Sequence, residues 1–158
     1  MRVEKILYAL INPLIRGLLR SPFHRLGSRN LAILSFTGRK SGKSYDTPLS
    51  YVRDDQTVLF LSSRQTKWWT NFTAEPSSVE VELENRRYSG QARLFTDGDS
   101  GFVEGIRDFI SQLPRDAVVY GIKLDGQRKP TEESLKQAAP QMILVEVKLE
   151  SGTRTTQS

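Results

Sequence analysis

The chain has no cysteine among its 158 residues and only one histidine, His24. The first absence removes disulfides, thiolate nucleophiles and cysteine-ligated metals. The second rules out a histidine-rich metal site, so no metal is expected. A Ser-His-Asp triad would have to use His24, which follows Pro22 in a basic segment and reads as a surface or packing residue. No apolar run approaches the ~20 residues that a membrane span needs. No small-residue cleavage site follows the first apolar stretch, so no signal peptide is expected. An enzyme made from such a chain draws its hard chemistry from a bound cofactor.

Charge of one sign is also scarce outside one segment. The net charge is +5, and residues 1–30 hold six Arg/Lys against one Glu. The remainder carries seventeen of each sign. A nucleic-acid-binding domain is expected to spread its basic face across the fold, so this balance argues against one. The length suits a single domain with a real core.

What is present divides by period. Val3, Ile6, Leu7, Leu10, Ile11, Leu14, Ile15, Leu18 and Leu19 recur at helical spacing, flanked by Arg2, Lys5, Arg16 and Arg20. They predict an amphipathic helix over residues 1–28, kinked at Pro13. It either packs on its own domain or lies on an anionic membrane surface. From Leu31 the period becomes that of strands: Leu31–Thr37, Asp46–Arg53 and Thr57–Ser62, the last two a hairpin around Asp54-Asp55. Lys67–Ala74 reads as a short helix stopped before Pro76. Val79, Val81 and Leu83 alternate with Glu80, Glu82 and Glu84, a strand with one wet face. Asn85-Arg86 turns into Arg87–Phe95. Phe102–Leu113 is a helix ending at Pro114, Thr131-Glu132-Glu133 opens another, and Met142–Leu149 is the last strand. The expected fold is mainly β: a small six-stranded antiparallel barrel with helices, spanning residues 29–150, followed by a frayed tail at 151–158.

The densest chemistry lies in Thr37–Lys43, TGRKSGK. Arg39, Lys40 and Lys43 stand around Gly38, Ser41 and Gly42, where glycines let backbone N–H groups converge and cations add charge: an anion cradle. The spacing is not that of a Walker loop. The plain alternative is a solvated basic turn. A second feature, Ser62–Phe72, sets Arg64 and Lys67 beside Trp68 and Trp69. Adjacent residues on a helix point about 100° apart, so one ring packs inward and the other can face a planar ligand. Asn71 follows Trp68 by three residues, on the same helical face. Core and rim packing of both rings is the alternative. Together these features fit a flat, anionic small molecule.

The ordered set T-G-R-K-S-G-K, T-P-L-S-Y-V-R-D (Thr47–Asp54), K-W-W-T-N-F-T-A-E-P (Lys67–Pro76) and V-E-V-E-L resembles the deazaflavin-dependent nitroreductases and quinone reductases. These belong to the flavin and deazaflavin split-barrel superfamily, related to pyridoxamine phosphate oxidases. The segment Asn12–Arg25 is similar to one that many members carry. The resemblance implies a six-stranded split β-barrel whose residues Arg39, Lys40, Ser41, Gly42 and Lys43 grip the anionic tail of coenzyme F-420. It implies that Thr47, Pro48 and Leu49 run along the cofactor, with Ser63, Arg64, Lys67, Trp68 and Asn71 beside it. Ser50, Tyr51 and Tyr120 fall to the acceptor, and Ser63, Tyr51 or Tyr120 would donate a hydrogen bond to it, with no nucleophile needed. The implied reaction is hydride transfer from the reduced deazaflavin to a quinone-like or nitroaromatic acceptor. The alternatives are an FMN-dependent reductase of the same fold and a non-enzymatic barrel binding single-stranded nucleic acid. A cytoplasmic monomer or homodimer is expected; the helix at residues 1–28 either packs on the barrel or is its point of peripheral contact with the inner face of the membrane.

Overall fold

The computed structural model describes residues 30–150. The helix expected over residues 1–28, with His24, and the tail at 151–158 lie outside the described residues. Six strands form: β1 (Leu31–Thr37), β2 (Ser44–Asp54), β3 (Thr57–Ser63), β4 (Ser77–Leu83), β5 (Arg86–Phe95) and β6 (Met142–Leu149). They close a barrel in the order β1-β2-β3-β6-β5-β4, with every neighbouring pair antiparallel. Alternating apolar residues explain the closure. Leu34, Phe36, Leu49, Tyr51, Val58, Phe60, Val81 and Val145 all point into one buried interior cluster.

The opposite faces of β2, β3 and β6 carry a second buried cluster. Val52, Leu61 and Leu144 pack there with Phe102, Ile106, Phe109 and Ile110 of helix α1 (Phe102–Gln112). Gly105 allows the close approach: a Cβ at that position would stand 2.4 Å from Leu144 Cδ2. After α1 the chain runs through a 3-10 segment, Pro114–Tyr120, and a loop to α2 (Glu132–Ala138). Arg107 ties the two helices through a two-pronged contact with Glu132, at 3.1 and 2.9 Å.

Several local expectations shift. The β2–β3 hairpin bends at Asp55-Gln56, because Asp54 already pairs with Thr57; Asp55 takes a positive φ of 54°. The β4–β5 turn is Glu84-Asn85, one residue earlier than expected, because Arg86 pairs with Leu83. Both turn residues have positive φ, 51° and 64°, the backbone of a tight hairpin turn. The helix expected over Lys67–Ala74 contracts to a single 3-10 turn, Trp68–Asn71. Phe72 is extended and buried against Phe36 and Trp68, which ends the helix. The wet face of β4 is wet at Ser78 and Glu80 but not at Glu82, which is buried between Ile33 of β1 and Arg87 of β5.

The pairing of β2 positions the site. Against β1 it is continuous, from Leu31–Ser50 to Thr37–Ser44. Against β3 it stops at Tyr51–Phe60. The edge of β2 from Ser44 to Ser50 therefore has no strand beside it on that flank, and the barrel is split there.

Candidate active site

The loop between β1 and β2 stands at the open mouth of this split. Gly38 donates its N–H to Lys43 O at 2.7 Å, and Gly42 donates back to Gly38 O at 2.9 Å. The closure depends on both glycines. Gly42 has a φ of 69°, and a Cβ on Gly38 would stand 2.5 Å from Ser41 Oγ and 2.7 Å from Tyr45 Cε2. Ser41 Oγ accepts from Lys43 N at 3.2 Å and lies 3.2 Å from Tyr45 Oη. The loop is thus a built turn with its cations outside. Arg39, Lys40 and Lys43 are exposed, and no ion pair among the described residues engages them.

The far wall is the segment after β3. Ser63 anchors its start: Oγ accepts from Gln65 N at 3.1 Å and the carbonyl from Thr66 N at 3.1 Å. Asn71 closes the wall onto the loop, since Oδ1 accepts from Arg39 N at 3.0 Å while Nδ2 donates to Trp68 O at 2.9 Å. The two motifs separated in sequence therefore meet at one mouth. Arg64 and Lys67 are exposed on the same wall, and the Arg64 guanidinium lies 5.9 Å from the centre of the Trp69 ring.

The two tryptophans divide the work in the reverse of the order that the motif implied. Trp68 is 6% exposed, edge-on to Phe72, and donates Nε1–H to Ser62 Oγ at 3.3 Å. Its ring belongs to the core; its carbonyl is what reaches Asn71. Trp69 is half-buried, and its Nε1–H is buried without a hydrogen-bond partner among the described residues. Such a donor is costly to leave unmade.

The exposed edge of β2 also has a chemical reason. Tyr51 donates its N–H to Asn30 O, toward the β1 side, at 3.0 Å. By the alternation of an antiparallel ladder, the backbone groups of Asp46, Pro48 and Ser50 then point into the split. Pro48 has no N–H to lose there, and proline belongs on such an edge. Thr47 and Leu49 turn their side chains inward and are buried, so of this trio only Pro48 presents a side chain outside the barrel.

The acceptor candidates separate. Tyr51 is 4% exposed inside the barrel, where burial first and Glu84 second raise its pKa above the usual phenol value. It faces the interior, not the split, so it cannot donate to an acceptor there. Ser50 ends the stretch of β2 that lacks a β3 partner, and Tyr120 is bonded to β3. Tyr120 Oη donates to Leu61 O at 3.0 Å, which fastens the Pro114–Tyr120 segment to β3, and Asp116 lies on the same segment. Asp116 is a residue that sequence reasoning missed. Burial pushes its pKa up, while Arg115 at 3.6 Å and Ser50 pull it down less strongly. An acidic residue in an apolar stretch, Asp116 before Ala117-Val118-Val119, was the available signal.

Two cavities lie away from the split, and a third, of about 380 Å³, has Ser44, Tyr45 and Asp46 of the β2 edge in its lining. One of about 570 Å³ lies between α1 and the loop before α2, lined by Arg107, Asp125 and Glu132 among others. One of about 320 Å³ lies beside α1 over β6. The split is an open groove, which suits a long ligand laid along a strand edge. Its residues fit an elongated anionic cofactor with a planar ring: unpaired cations at one end, an exposed strand edge, and an indole N–H awaiting an acceptor. Among the described residues no group of acidic or histidine side chains is placed to hold a metal.

The sequence profile of the family described as F420H(2)-dependent quinone reductase matches residues 21–104, more than half of the chain. The chain belongs to that family. It is an oxidoreductase whose cofactor is the deazaflavin coenzyme F-420. Solved structures agree on the fold. A structure described as an F420-H2 dependent reductase has a TM-score of 0.51 at 16% identity, covering 75% of this chain and 94% of its own. A pyridoxamine 5'-phosphate oxidase-related, FMN binding protein from Nostoc punctiforme has a TM-score of 0.53 at 17% identity, covering 86% of this chain and 78% of its own. A third, described as a domain-swapped dimer, has a TM-score of 0.53 at 16% identity over 93% and 99%. No curated protein matches the chain.

Proposed function

We propose that the protein reduces a quinone-like acceptor with the deazaflavin held in the split between β2 and β3. One observation carries the reading: the hydrogen bond from Arg39 N to Asn71 Oδ1 joins the cation-rich loop to the aromatic wall at the mouth of the groove. Arg39, Lys40 and Lys43 would bind the phosphate and carboxylates of the tail by charge-assisted hydrogen bonds, each contributing about 1.5–3 kcal/mol. Pro48 and the free edge of β2 would run along the ligand. Arg64, Lys67 and Trp69 would flank its ring from the other side, and Ser63 would lie within the wall. When bound and reduced, the cofactor supplies a hydride. The chain's part is to orient the two rings and to place hydrogen-bond donors where negative charge develops on the acceptor.

A nitroaromatic acceptor is the second reading, and it rests on the same groove. The barrel is shared with an FMN binding protein, so FMN is the comparison cofactor. The direct test is spectroscopic. With reduced deazaflavin bound, its oxidation should be faster with menadione than with a nitroaromatic, and faster with either than with none. Equal rates in all three would remove the acceptor assignment. Membrane contact through residues 1–28 is tested separately, by salt-sensitive binding to anionic vesicles that is lost when those residues are deleted. Among the described residues no helix is long and apolar enough to cross a membrane.

A further inference from the structure

The outward face of β1 is expected to be wet, and at its middle it is not. Ala32, Leu34 and Phe36 turn into the barrel, so Leu31, Ile33 and Ser35 turn out. Ile33 is nevertheless 1% exposed, and it belongs to neither buried cluster. Its neighbours in the register share the burial. Glu82 of β4, on one side, is 7% exposed, and Pro48 of β2, on the other, is half-buried. The helices are elsewhere: α1 and α2 pack in the second cluster, which takes nothing from β1 or β4.

We propose that residues 1–28 of the same chain dock on this outer face of β1 and β4 and lay their apolar stripe over Ile33, with Leu31 and Pro48 at its margin. Three observations favour that occupant. The first is chemical. The only other part of the chain outside the described residues is the tail at 151–158, and SGTRTTQS has no apolar side chain to offer. Residues 1–28 carry the stripe that runs from Val3 to Leu19. The second is position. Asn30 O accepts from Tyr51 N at 3.0 Å just before β1 begins, three residues from Ile33 and so about 10 Å away. Asn30 has a φ of 64°, which bends the chain as it enters the strand. The third is charge. Residues 1–30 hold six Arg/Lys against one Glu, and the face they would cover carries Glu80 and Glu82. A cation brought against a carboxylate as buried as Glu82 meets little screening by salt.

A stripe used on the barrel is not free for lipid, so contact with an anionic membrane is left to the cations around it. The docked segment also borders the split, because Ile33 stands opposite Pro48 on the free edge of β2. The docking does not depend on which acceptor is reduced.

Two measurements on the full chain test this. The chain has no cysteine, so one introduced thiol is read without interference. Ile33→Cys places it at the covered position, and Glu80→Cys at an exposed one on the same face. Toward a thiol reagent such as DTNB, Ile33→Cys should react at least about 100-fold more slowly than Glu80→Cys, with or without vesicles of phosphatidylglycerol and phosphatidylcholine. Comparable rates without vesicles overturn the docking. Protection that is lost when vesicles are added gives the stripe to lipid and overturns it too. In the second measurement, Glu80→Cys labelled with benzophenone maleimide is irradiated in a mixture of heavy-isotope and ordinary chains, and the adducts are mapped by mass spectrometry. They should join the label to residues 1–28 of the same chain. Adducts that bridge the two isotopes make the cover a second copy, and these, or the lack of any adduct within residues 1–28, overturn the proposal. This measurement uses the exposed position alone, so it decides the matter even where Ile33→Cys does not fold.

Discussion

Arg39 N donates to Asn71 Oδ1 at 3.0 Å, across 32 residues of sequence, and no other hydrogen bond among the described residues joins the basic loop to the wall after β3. Asn71 also holds Trp68 O with its other end. The side chain is thus used at both ends. Asn71→Ala should cost about 1 kcal/mol of stability and weaken coenzyme binding about threefold or more. Denaturant unfolding and a binding titration read the two effects separately. A variant with native affinity would show that the contact does not organise the mouth.

Gly38 is closed in by Ser41 and Tyr45, so Gly38→Ala must push both aside. Gly42→Ala meets nothing but must hold a positive φ, a cost of about 1 kcal/mol. Both should weaken coenzyme binding, Gly38→Ala the more, while the thermal midpoint drops by only a few degrees. If Gly38→Ala binds as the wild type does, the loop's closed shape is irrelevant to the ligand.

The tryptophans should separate stability from binding. Trp68→Ala empties a core position and should cost about 3–5 kcal/mol of stability. Trp69→Ala should cost less and weaken coenzyme binding. Trp69→Phe, which keeps a ring but removes the unpartnered N–H, should relieve a buried donor and leave stability equal or higher. Stability and affinity falling together in Trp68→Ala alone would restore the ligand role to that ring.

Tyr51 gives a pH signature of the barrel interior. Its folded pKa is raised above the unfolded value of 10.0. The unfolded chain therefore loses the phenol proton first, and the stabilising contribution, complete below pH 10, is lost as pH rises through the folded pKa. Tyr51→Phe should be less sensitive to alkali above pH 10 in chemical unfolding. An identical alkaline decline in the variant would mean that the ring is solvated.

Much of the barrel was legible because each strand shows the period of a half-buried ribbon; β1 and β6 fall at the residues expected. The basic loop and the W-x-x-N motif were also legible, as local concentrations of charge and aromatic surface. Their meeting was not, since a hydrogen bond between Arg39 and Asn71 is decided by barrel closure. Helical geometry left open which of Trp68 and Trp69 faces inward, and the resemblance set Trp68 beside the cofactor; the packing of Trp68 against Phe72 is what puts that ring in the core. Tyr51 was misplaced for a related reason: strand alternation puts it on the side of Leu49, inside. Asp116 was overlooked although an acid beside an apolar stretch marked it; its partial burial is decided by packing, which sequence spacing does not encode.

The central claim, that the β2–β3 split holds a deazaflavin by its anionic tail, is tested most directly by titrating coenzyme F-420 into the wild type and into the double variant Arg39→Ala/Lys40→Ala, following tryptophan fluorescence. FMN serves as the comparison. The wild type should bind coenzyme F-420 more tightly than FMN, and the folded double variant should bind it at least about tenfold more weakly, a loss of about 1.4 kcal/mol. Unchanged affinity in the folded double variant, or no binding of either cofactor by the wild type, would contradict the account.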